Sequence, residues 1–109
     1  MDMREIKNDR NFFWTNHAKN KLFQYGLSPT AVKNVLRAPE RTEDVVAPET
    51  SALMKRKDTK KTKREIWVMI QKVAKSHKKK IISAWIYPGV SPEGKEIFVP
   101  EDVLAALGE

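Results

Sequence analysis

The 109 residues contain no cysteine, only two histidines and only four glycines. Without thiols the chain forms neither disulfides nor thiolate metal sites, which points to a reducing, cytoplasmic setting. His17 and His77 are too few for an imidazole centre and the acids show no paired ligand spacing, so neither a metal nor another cofactor is expected. Gly26, Gly89, Gly94 and Gly108 are scattered, which excludes a P-loop, a dinucleotide-binding turn and a nucleophile elbow. The scarcity of histidine also argues against a protease-like triad. Long apolar runs are missing as well. Ile66 to Ile70 falls far short of the roughly 20 residues of a membrane span, and the first ten residues lack the apolar stretch of a secretory signal.

What is present is positive charge. Lys and Arg number 21 against 14 Asp and Glu, a formal charge of +7 at pH 7 with a pI near 9.7. Polyanions, RNA or DNA first among them, are the partners such a balance favours. A mass of 12.6 kDa suits one domain over residues 1–109, and 40% apolar residues suffice for a core. Residues 1–10, polar and without a period, read as a frayed end or a short edge segment.

The punctuation of the chain is legible. Thr15 or Asn16 caps a helix carrying Ala18, Lys21, Leu22 and Tyr25 at helical spacing, with Gly26 as a left-handed stop. Ser28-Pro29 opens a second helix, lined by Ala31, Val32, Val35 and Leu36 and ended by Ala38-Pro39. Strands are expected over 42–47, 51–56, 65–73 and 80–87, with a short one over 96–99. Pro100 then opens a closing helix from Glu101 to Leu107, stopped by Gly108. The order predicts an α+β domain: two N-terminal helices on one face of a four- to five-stranded antiparallel sheet, with a short C-terminal helix.

Strand alternation sorts Ile66, Val68 and Ile70 from Trp67, Met69 and Gln71, and Ile82, Ala84 and Ile86 from Ile81, Ser83, Trp85 and Tyr87. If the aliphatic sets meet the helices, Trp67, Trp85 and Tyr87 lie on the second face, where aromatics beside cationic loops can stack bases. The alternative is that they pack under the terminal helix through Val103, Leu104 and Leu107. The segment from Lys55 to Arg64 holds seven basic residues against one acid and reads as a mobile loop. Its Lys55, Lys57, Lys60 and Lys61 are candidate RNA contacts, and Arg56 can grip a phosphate with its guanidinium.

Metal-free work on phosphate is the chemistry these residue types allow. RNA can be cut through its own 2′-hydroxyl if a base removes that proton, cations stabilise the phosphate and an acid protonates the leaving oxygen. His17 falls in the first turn of the first helix and is the candidate base. Lys21, four residues on, shares its face and can reach the same phosphate. Tyr87 is a candidate acid.

The run from His17-Ala18 through Lys21 and Gly26-Leu27-Ser28 to Pro39 resembles a family of small bacterial domains. With Lys80-Ile81-Ile82-Ser83-Ala84 it also resembles BrnT-type toxins, within the RelE/ParE-like and barnase-like ribonucleases. The likeness covers most of residues 14–87. It implies a small sheet with helices on one side, an RNA site on the other, and a ribonuclease toxin that acts on free or ribosome-bound mRNA and is checked by an acidic antitoxin. His17 matches the family histidine and Lys21 the basic position, more often Arg. Trp85 stands where BrnT-like chains usually carry Arg, which leaves Arg56 to provide that cation. Some relatives target DNA gyrase instead, so the fold also admits a non-catalytic binding or gyrase-inhibiting module.

Overall fold

A computed structural model describes residues 11–45, 47–92 and 99–108. The chain runs β1 (Phe12–Trp14), α1 (Asn16–Tyr25), α2 (Pro29–Arg37), β2 (Arg41–Asp44), β3 (Thr50–Arg56), β4 (Arg64–Lys72), β5 (Lys79–Pro88) and α3 (Glu101–Ala105), closed by a 3₁₀ turn over Ala106–Gly108. The five strands form one sheet in the order β1-β5-β4-β3-β2. The expected α+β class holds, with one correction: the sheet is mixed. β1 pairs parallel to β5, Phe12 opposite Lys79 and Trp14 opposite Ile81, whereas the other neighbours are antiparallel. Three aromatic residues running into a helix cap are too few to announce a strand by alternation. The strand anticipated over 96–99 and the segment 1–10 fall outside the described residues, Val99 excepted.

Both helix starts behave as their capping residues require. Thr15 accepts the Ala18 amide at 3.0 Å and Ser28 accepts that of Ala31 at 3.1 Å. Gly26 stops α1 at φ 65°, a left-handed conformation that favours glycine. Thr15 also reaches across the fold, its hydroxyl facing the carbonyls of Ile81 at 3.1 Å and Ile82 at 2.9 Å. The first turn of α1 is thereby pinned to the middle of β5.

At that point β5 is irregular. Met69 pairs with Ser83 and Ile70 with Ile81, so Ile82 is an extra residue in the ladder. A bulge inverts the alternation on one side of it, which corrects the expected faces: Ile81 joins the aliphatic side and Ile82 the tryptophan side. One core cluster gathers Ala18 and Leu22 of α1, Val32 and Val35 of α2, and Ile66, Val68, Ile70, Ile81 and Ala84 of the sheet. The second contains Met54, Trp67, Met69, Ile82 and Trp85 with Val103 and Ala106 from the chain's end. Among the described residues no helix is long and apolar enough to cross a membrane.

Candidate functional site

Helical spacing splits α1 between two duties. Ala18 and Leu22 enter the aliphatic core, while His17 and Lys21, also four residues apart, fall on an adjoining stripe. The tie from Thr15 to β5 brings that stripe over Ser83. His17 Nε2 lies 3.0 Å from Ser83 Oγ and 3.9 Å from a carboxylate oxygen of Asp102 in α3. Lys21 Nζ approaches the same Asp102 oxygen at 2.5 Å, donates to Gln24 Oε1 at 3.1 Å and sits 5.2 Å from the centre of the Tyr25 ring. Lys21 is 4% exposed, so its charge is built into the fold, whereas the Asp102 side chain is 52% exposed. The hydrogen bond from Lys21 holds the Asp102 carboxyl below its ordinary range, against the opposing effect of burial.

His17, Ser83 and Asp102 do not form a nucleophilic triad. Ser83 and Asp102 both face Nε2, where a triad needs the acid on the other ring nitrogen, and Ser83 is fully buried. The group is an imidazole and an ammonium converging on one anion. That arrangement can hold an oxyanion and move a proton at Nε2.

The other predicted residues lie elsewhere. Trp67 and Trp85 are each 1% exposed and stack on one another, centroids 6.2 Å apart and planes 8° from parallel. Arg41 lies 5.1 Å from the centre of the Trp67 ring. Neither indole offers a face to a base in this arrangement, because Val103, Ala106 and Leu107 complete the cluster that holds them. The alternative of packing beneath the terminal helix is the one realised, although Leu104 points outward at 51% exposed. Trp67 Nε1 donates to Glu65 at 2.9 Å, but among the described residues Trp85 Nε1 is buried with no acceptor.

Arg56 is likewise engaged. Its guanidinium donates to Asp58 at 2.7 Å, to Glu65 at 3.1 Å and to the Gly89 carbonyl at 3.2 Å. Glu65, fully buried, also accepts from Ser91 Oγ at 2.6 Å and from the Ser91 amide at 3.1 Å. Burial alone would raise the Glu65 carboxyl, but the bonds from Ser91 and Trp67 and the Arg56 charge outweigh it and hold the group below its usual range. Arg56 therefore closes a structural network, its guanidinium held between Asp58, Glu65 and the Gly89 carbonyl. Tyr87, partly exposed, pairs with Glu65 across the ladder. It lies four positions along the strand from Ser83, a backbone separation of about 13 Å at the usual rise.

Lys55 is partly exposed at the end of β3, and Lys57, Lys60 and Lys61 are exposed on the hairpin that follows. That hairpin is laced rather than loose: the Thr59 amide donates to the Thr62 carbonyl at 2.8 Å, and Asp58 accepts the Arg64 amide at 3.0 Å. A cavity of about 390 Å³ lined by Asp44, Glu49, Lys72 and Lys79 lies near the opposite end of β4, mixes both charge signs and includes none of the predicted residues. Sequence reasoning missed Ser83, Asp102, Tyr25 and Glu65 as partners. The two α1 stripes gave a signal for Tyr25, four residues beyond Lys21; the others are long-range encounters. Comparison with family models, with curated proteins and with solved structures finds no match.

Proposed function

We propose that this chain is a metal-independent endoribonuclease of toxin type, with RNA as substrate and an acidic antitoxin protein as its check. The observation that supports the reading best is the convergence of His17 and Lys21 on a single carboxylate oxygen. An imidazole nitrogen and a buried ammonium that face one anion position are what a ribose-phosphate group needs if it is to be both held and deprotonated. In this scheme His17 Nε2 takes the proton of the 2′-hydroxyl, the freed oxygen attacks phosphorus, and the bond from phosphorus to the 5′ oxygen breaks. Lys21 neutralises the charge on the phosphate oxygens and gives a proton to the departing 5′ oxygen. The products are a 2′,3′-cyclic phosphate and a 5′-hydroxyl end. The exposed lysines of the β3–β4 hairpin, beyond Arg56, attract the polyanion without touching the reacting atoms.

Induction of the chain in bacteria should arrest growth and fragment mRNA. His17→Ala should lose both effects while keeping the fold and RNA retention. Full activity in that variant would remove His17 from the mechanism, and salt-sensitive retention of intact RNA by the wild-type chain would identify a binding module instead.

A further inference from the structure

The anion on Lys21 and His17 comes from the shortest α-helix among the described residues. α3 has five residues, begins at Pro100 without a side-chain cap and is held through Val103, Ala106 and the Asp102 carboxylate. The cation it meets is fixed, since Lys21 lies inside the protein on a ten-residue helix capped at both ends. A second observation lies two residues along the strand from Ser83. Trp85, one same-face position beyond Ser83 on β5, carries a buried N–H without an acceptor among the described residues. Leaving such a donor buried and unpaired costs the closed arrangement stability, and a state that gives it an acceptor recovers that cost.

We propose that Asp102 is a built-in pseudo-ligand: its carboxylate occupies the phosphate position of a nucleotide site, and an incoming nucleotide phosphate displaces it together with α3. The displaced helix uncovers the Trp67–Trp85 pair, and Trp85 Nε1 donates to an acceptor on the base or sugar of the ligand. The closed arrangement is then a self-covered state in which a half-exposed carboxylate competes with substrate for one buried ammonium. The nucleotide class of the ligand rests on the ribonuclease reading above; the displacement of Asp102 by an anion does not.

The test uses the full chain and its Asp102→Asn variant, titrated separately with inorganic phosphate and with a ribonucleoside 3′-monophosphate. The readout is the set of three indole N–H resonances in a nitrogen-edited NMR spectrum. A ligand whose competent state is only fractionally populated binds weaker in proportion, so Asp102→Asn should bind the nucleotide about tenfold more tightly or better. The Trp85 resonance should move on binding while that of Trp67, already bonded to Glu65, moves less. Lys21→Met should abolish binding, and Val103→Ala, which loosens α3 without touching the anion site, should tighten it in the same direction as Asp102→Asn. Equal affinity in wild type and Asp102→Asn, binding that leaves the Trp85 resonance in place, or no binding to either protein would each overturn the proposal. Nucleotide binding of the expected kind by a chain that leaves RNA intact would uphold the site and defeat the ribonuclease reading alone. Displacement by inorganic phosphate that matches the nucleotide in affinity and moves Trp85 equally would uphold the pseudo-ligand and overturn the nucleotide assignment.

Discussion

Single side chains in this protein divide between those that hold the sheet end together and those that gather around Asp102. Glu65 belongs to the first group: a buried carboxylate accepting from Trp67, Ser91 and Arg56. Glu65→Gln replaces one acceptor oxygen with a donor facing other donors, and should lower stability by about 1–3 kcal/mol in urea denaturation. Because the folded carboxyl lies below its unfolded value, its contribution is complete above the ordinary glutamate range and is lost as pH falls through the folded value. The gap between wild type and Glu65→Gln should thus be constant above pH of about 5 and close on acidification below about 4. Arg56→Ala should show the same signature, lost stability with the cleavage rate per folded molecule unchanged; a selective collapse of the rate would return Arg56 to the reacting centre. At this scale the sequence conveyed His17 and Lys21, because helical spacing alone puts them on one stripe. It could not convey Asp102 or Ser83, which lie 85 and 66 positions along the chain from His17 and meet it only in the folded protein.

The elements carry the site through one tie. Thr15 caps α1 and binds β5 at its bulge, so His17 is aimed by the same residue that starts its helix. Thr15→Ala should cost about 0.5–2 kcal/mol in stability. It should also reduce cleavage more than that loss of folded protein explains, checked by activity at a temperature where the variant remains fully folded. Thr15→Ser, which keeps the hydroxyl, should recover most of both. Helices α1 and α2 and the four antiparallel strands were legible because caps, a left-handed glycine and β-branched runs are local signals. The parallel pairing of β1 and the bulge at Ile82 were not, since both are set by register between distant segments. The burial of Trp67 and Trp85 was underdetermined for a related reason: alternation assigns a side chain to a face, but a five-residue helix decides whether that face is open.

For the molecule as a whole, a charge of +7 and a hairpin bearing Lys57, Lys60, Lys61 and Lys63 predict RNA affinity that falls with salt. Lys60→Glu with Lys61→Glu should weaken retention across RNA sequences and flatten the salt dependence by about 0.7 in log–log slope for each phosphate that the variant no longer neutralises. Cleavage at saturating RNA should persist, since neither lysine approaches His17. The proposed reaction turns on one step, the removal of a 2′-hydroxyl proton by His17. Its most direct test is incubation of the purified chain, in excess chelator, with an RNA oligonucleotide and with the same oligonucleotide carrying a single 2′-deoxyribose at the cut position. The first should yield 2′,3′-cyclic phosphate ends and the second no cut at that position; equal cleavage of both would contradict a role for His17 at the 2′-hydroxyl.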